Sequence, residues 1–175
     1  SHSDLDTKSY AVFGEGTWKA SERLSLTAGG RYTFDTAELA FHGVGSNSYR
    51  KDDDWTAFTP KAALNWQWSN DLVQFFSVSR GYKVGGLNRY KAEDQSKIPY
   101  GPEKSWNYET GLRSDLLNRR AFLSGSVFMT DIDNAQIYDG PVGQQALHNA
   151  GEARVKGAEV EARVNLTSSL VLSAG

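Results

Sequence analysis

Apolar and polar side chains alternate one for one along much of this chain. Leu24, Leu26, Ala28, Gly30, Tyr32 and Phe34 fall on one face, while Ser25, Thr27, Gly29, Arg31, Thr33 and Asp35 fall on the other. A period of two is the signature of a strand and not of a helix. Strands of soluble domains average about 5–6 residues, whereas a tilted membrane strand needs about 9–11. This stretch belongs to the second kind.

The run from Thr56 to Trp68 repeats the pattern: Phe58, Pro60, Ala62, Leu64, Trp66 and Trp68 oppose Lys61, Asn65 and Gln67. At ~3.3 Å per residue and a tilt of about 40°, Phe58 and Trp68 stand roughly 25 Å apart along the strand's projected axis. That is the height of a lipid-facing band with an aromatic at each rim. Tyr10–Trp18, Trp106–Arg113, Ala121–Thr130 and Ala158–Val164 alternate in the same way. Leu72–Tyr82 gives no clean assignment, because Gln74 and Arg80 share a face with Phe76 and Val78.

Short polar turns centre near Ser21, Asn70, Asn118 and Ser168, and longer connections are expected over 36–54, 84–104 and 133–148. Short turns on one side and long loops on the other are the asymmetry of outer-membrane barrels. The fold expected is all-β: an antiparallel up-and-down meander of about eight long strands, a segment of a transmembrane β-barrel. Propeller blades are not indicated, since no signature residues recur from one repeat to the next.

Composition changes this picture little. The 175 residues suffice for one domain, Cys is absent, and no apolar run approaches a membrane helix at a mean hydropathy of −0.53. Barrel strands look hydrophilic on average, so the low value is compatible with them. The net charge of −2 argues against phosphate-neutralising contact with nucleic acid. Tracing the crossings from Tyr10 places both ends of the chain on the loop side or within the wall, and the last strand has too few residues to cross. Residues 1–175 are therefore expected to be one partial barrel domain, without its C-terminal strands.

Six segments carry a family resemblance: SYAVFGE at 9–15, LTAGGRYTFD at 26–35, TPKAALNW at 59–66, SRGYKVGGLN at 79–88, PEKSWNYETGLRS at 102–114 and NAGEARVKGAEVE at 149–161. In this order they resemble the barrel of TonB-dependent outer-membrane receptors, and their flavour is that of the ferric-siderophore type. The resemblance implies a barrel of about 22 strands around an N-terminal plug. It also implies a ligand bound on the extracellular side and a TonB energy-coupling protein pulling on the plug. The partners implied are a ferric siderophore or similar ligand, outer-membrane lipid, the plug and TonB, in the outer membrane of a Gram-negative bacterium. The plug, its coupling box and the terminal aromatic strand are not in this sequence.

Two groups of residues are candidates for function. Arg31, Lys61, Glu109, Arg113, Glu159, Glu161 and Arg163 face the lumen in this scheme and could dock a plug or line a ligand path. The plainer alternative is charges that pair with one another and face water. Tyr49, Arg50, Arg89, Tyr90 and Lys91 fall in long connections and suit an anionic aromatic chelate; the plainer alternative is a solvated loop. Asp52, Asp53 and Asp54 read as a solvated acidic turn rather than a cation site.

Enzyme signals fail. The histidines are His2, His42 and His148, no Ser lies in a G-x-S-x-G elbow, and Ala135 and Gln136 break the calcium-loop pattern begun by Asp131 and Asp133. No enzyme activity, cofactor or metal is expected. Two rivals stand beside the receptor reading: a passive porin-like or small structural barrel, and a soluble β-sandwich binding module.

Overall fold

The structure, a computed structural model, describes residues 2–43, 48–89, 98–141 and 145–175. Among these described residues ten strands form in chain order: β1 His2–Lys19, β2 Leu24–His42, β3 Tyr49–Ser69, β4 Leu72–Lys83, β5 Gly86–Leu87, β6 Pro99–Tyr100, β7 Glu103–Leu116, β8 Ala121–Asp139, β9 Ala146–Asn165 and β10 Val171–Ala174. Eight make one antiparallel sheet in the order β1-β2-β3-β4-β7-β8-β9-β10, a meander in which every strand pairs with its neighbour; β5 and β6 pair separately. A sandwich would bury one face of this sheet under a second one. Among the described residues the second sheet is a pair of two-residue strands, too small to form the other layer of a sandwich.

The four short turns fall where expected, between β1 and β2, β3 and β4, β7 and β8, and β9 and β10. The connection expected over 84–104 also lies between long strands, β4 and β7, but the other two long connections do not fall where expected. Strands β2 and β3 continue through most of 36–54, pairing up to Phe41 with Tyr49, and β8 and β9 continue through most of 133–148, pairing up to Asp139 with Ala146. Asp52, Asp53 and Asp54 therefore lie on a strand and not in a turn, alternating between its faces.

The reason for the misjudged loops is a change of phase. Along β2 the even residues are apolar from Leu24 to Phe34, but beyond Asp35 the buried apolar residues are the odd ones, Ala37, Leu39 and Phe41. Their even neighbours Thr36 and Glu38 pair outward with Asp54 and Asp52. One continuous strand thus leaves an apolar outer environment near Phe34 and enters one where its other face is covered. Strand β1 shows the same break, with Lys8, Asp6 and Asp4 on the face that carries Tyr10, Val12 and Trp18 further down.

The apolar outer belt also slides across the sheet. The ladder row through Trp18 runs Leu26, Leu64, Phe76, Thr110, Val127 and Ala158. Trp18 is the turn-side end of the belt on β1, yet Ala158 is its far end on β9, where the belt runs on to Val164. A slip of about one residue per strand, with a rise of ~3.3 Å and a strand spacing of ~4.8 Å, corresponds to a tilt of about 35°. That is the tilt of transmembrane barrel strands.

Strand β4 now has its faces. Gln74 and Arg80 point outward with Phe76 and Val78, in rows with Leu112 and Trp106. Both polar groups sit at rims of the belt beside aromatics. Gln74 Oε1 accepts a hydrogen bond of 3.1 Å from the Trp68 indole, and the Arg80 guanidinium lies 5.8 Å from the Trp106 ring centre. Thr110, outward within the belt, donates its hydroxyl to the Phe75 carbonyl at 2.9 Å. Such partners are what hydrocarbon demands of a polar group.

Candidate ligand and plug-facing surface

The inner face starts from the odd residues of β2 and β3 and their ladder partners. Lys61 and Glu15 form an ion pair over Gly29, the residue that separates them in the ladder. Arg31 donates to Thr33 Oγ1 at 3.1 Å and holds its guanidinium 6.0 Å from the centre of the Phe13 ring. Phe13, Glu15, Arg31, Thr59, Lys61 and Ser79 surround a hollow of about 300 Å³. Further along, Arg113 stacks over Phe75, 4.3 Å from the ring centre. Cation–aromatic contacts of this kind leave the charge available to an arriving anion.

The other inner-face candidates are not paired in the same way. Glu109 lies in the ladder between Ser77 and Phe128, Glu159 opposite Ser126, Glu161 opposite Ser124, and Arg163 between Phe122 and Ser173. Their ladder neighbours are small or aromatic rather than counter-charged. All seven inner-face candidates lie on one face of one sheet, as the alternation predicts.

Beyond the belt, residues 84–89 and 98–102 fold against the inner face instead of standing away from it. Leu87 and Ile98 bury themselves against Ala37, Leu39 and Trp55, with Leu5 and Tyr49 packed alongside. Leu39 and Ile98 are fully buried. Polar bonds tie the same segment to β8 and β9. The Asn88 amide donates to the Leu147 carbonyl at 2.8 Å and accepts from the Leu147 N–H at 2.9 Å. Asn149 donates to the Gly101 carbonyl at 2.9 Å, and Gln136 donates to the Val84 carbonyl at 2.8 Å.

Two phenols near this covered region are held above their ordinary range. Above Ser79 the ladder between β3 and β4 stops, and the Tyr82 hydroxyl donates to Asp35 Oδ2 at 3.0 Å. Burial first, and then this bond to a carboxylate, push the Tyr82 phenol well above its ordinary range. Burial, followed by the neighbouring Tyr138, also raises Tyr100.

In the second group of candidates, Tyr49 and Arg50 point to opposite faces. Tyr49 and Arg50 begin strand β3 instead of lying in a loop, and neighbours on a strand point opposite ways. Tyr49 stacks inward on Phe41, with ring centres 5.1 Å apart, while Arg50 pairs with Glu38 on the outer face. Arg89 is exposed next to the buried Asn88, and Tyr90 and Lys91 lie outside the described residues. Asn88, Gln136 and Asn149, which anchor the segment, gave no signal in the alternation, because their partners are backbone groups far away in sequence.

The family model for the β-barrel of TonB-dependent-receptor-like proteins matches residues 1–175. The chain belongs to that family. The pesticin receptor of Yersinia enterocolitica is 29% identical over 159 residues, which is 87% of this chain and 23% of that protein. The ferrichrome outer membrane transporter/phage receptor of Escherichia coli K12 is 26% identical, over 85% of this chain and 19% of its own. Among solved structures, the ferric yersiniabactin uptake receptor FyuA of Yersinia pestis superposes with a TM-score of 0.79 at 23% identity, covering 95% of this chain and 25% of that one. The siderophore receptor PiuA of Acinetobacter baumannii gives a TM-score of 0.79 at 19% identity, covering 98% and 26%. This TonB-dependent receptor chain thus spans about a quarter of the length of the relatives it matches. Those relatives carry the names of receptors and transporters, not enzymes.

Proposed function

We propose that the chain is part of the barrel wall of an outer-membrane receptor in a Gram-negative bacterium, and that the receptor imports a ferric siderophore or a similar scarce nutrient. The observation that carries the reading is a single sheet with an apolar, tilted outer belt and an inner face bearing Arg31 on Phe13 and Arg113 on Phe75. A plug inside the barrel would meet that inner face, with Lys61, Glu109, Glu159, Glu161 and Arg163 among its contacts. The TonB energy-coupling protein would act on the plug. The short turns are then periplasmic and the strand extensions extracellular. The anchored residues 84–89 and 98–102 would lie near the mouth, and Arg89 with Tyr90 and Lys91 next in sequence would suit an anionic aromatic chelate. The reading includes no catalytic role.

Uptake of a radiolabelled ferric siderophore by cells carrying the full-length receptor tests this. Accumulation that requires both the receptor and TonB is the expected result. Accumulation by passive leak, unchanged when TonB is deleted, would overturn energised import and favour a porin-like barrel.

A further inference from the structure

At the end of the β1–β2 hairpin remote from its turn, His2 and His42 are direct ladder partners. Their imidazoles stack with ring centres 4.6 Å apart and planes 18° from parallel. Asp4, two residues along on the same outward face, brings one carboxylate oxygen to both: Oδ2 lies 3.6 Å from His2 Nε2 and 3.6 Å from His42 Nε2. One donor atom from each residue lies within 4.8 Å of the others. We propose that His2, Asp4 and His42 form a binding site for a divalent transition-metal ion of the zinc or copper class.

Two imidazoles and one carboxylate suit zinc, copper or nickel, whereas calcium and magnesium prefer all-oxygen shells. Around a tetrahedral ion with bonds of about 2.0–2.1 Å, neighbouring donors stand about 3.3 Å apart. Two of the three edges are already within a few tenths of an ångström of that value, and the backbone ladder fixes the strands that carry them. Rotation of the two rings out of their near-parallel stack would turn both Nε2 lone pairs toward a common ion beside the Asp4 carboxylate. All three residues are exposed, so water or an atom of a ligand fills the remaining positions.

The site lies beyond Lys8 and Tyr10, past the end of the apolar belt, and so in water. A metal there would staple β1 to β2 where the hairpin leaves the belt. Neither the ligand of the receptor nor its import enters this inference.

The test uses the full-length receptor containing this chain, stripped of metal and held in detergent. Zinc titration by calorimetry should show one fewer high-affinity ion in the His2→Gln/His42→Gln double variant than in the unaltered receptor, and Asp4→Asn should bind that ion at least tenfold more weakly. Equal stoichiometry and affinity in all three would overturn the site. Should the variants fail to fold, X-ray absorption of zinc on the unaltered receptor decides. A component with two imidazole nitrogens and an oxygen supports the site, and its absence at saturation overturns it.

Discussion

Lys61 meets Glu15 two strands away over the bare backbone of Gly29. A Cβ on Gly29 would stand 3.2 Å from both the Glu15 Cβ and the Lys61 Cε, and 3.0 Å from the Gly14 carbonyl oxygen. The passage exists because the residue between the charges has no side chain. Gly29→Leu should therefore cost about 1–3 kcal/mol through overpacking. Lys61→Gln, which removes one partner of a half-exposed ion pair, should cost under about 1 kcal/mol. Urea titrations of the receptor folded in lipid compare the two; equal small costs would show that the passage is not crowded.

Asn88 should decide whether residues 84–89 stay on the inner face. Its amide bridges the Leu147 backbone and the Ile98 carbonyl, while Leu87 beside it enters the apolar cluster. Asn88→Ala removes the side-chain partner of the part-buried Leu147 N–H and carbonyl, at about 1–3 kcal/mol each. Limited proteolysis should then cut within 84–102 faster than in the unaltered protein, with the belt strands still protected. Unchanged cleavage would mean that the apolar contacts of Leu87 and Ile98 suffice alone.

The Tyr82–Asp35 bond gives a pH dependence with a definite sign. A phenol raised in the folded state stabilises fully below its unfolded value of about 10, and that stability is lost as pH rises through the raised folded value. Removing the carboxylate removes one cause of the rise, so Asp35→Asn should move the Tyr82 ionisation downward in an ultraviolet difference titration. A Tyr82 ionisation that stays in place would leave burial as the whole cause.

The eight-stranded meander, its short turns and the shared face of the set from Arg31 to Arg163 were legible in the sequence because each strand sees one environment on each face. The rest hid where that condition fails. Above Phe34 the covered face changes sides, so Ala37 and Leu39 break the period, and the extensions of β2 and β3 resemble loop. Gln74 and Arg80 blur β4 because rim positions accept polar groups beside Trp68 and Trp106. Tyr49 and Arg50 seemed a pair because they are adjacent in sequence, yet a strand sends adjacent residues to opposite faces. Asn88 and Asn149 act through backbone partners 59 and 48 residues distant, which no local pattern encodes.

The central claim is that the even residues of β2 from Leu24 to Phe34 face lipid and the odd ones do not. Leu26 lies in the ladder between Trp18 and Leu64, whereas Thr27 lies between Thr17, whose hydroxyl it meets at 2.8 Å, and Ala63. The most direct measurement is the folding free energy in lipid of Leu26→Arg against Thr27→Arg in the parent receptor. Leu26→Arg should cost roughly 2–4 kcal/mol and Thr27→Arg far less. Equal costs, or a greater cost at Thr27, would contradict the account.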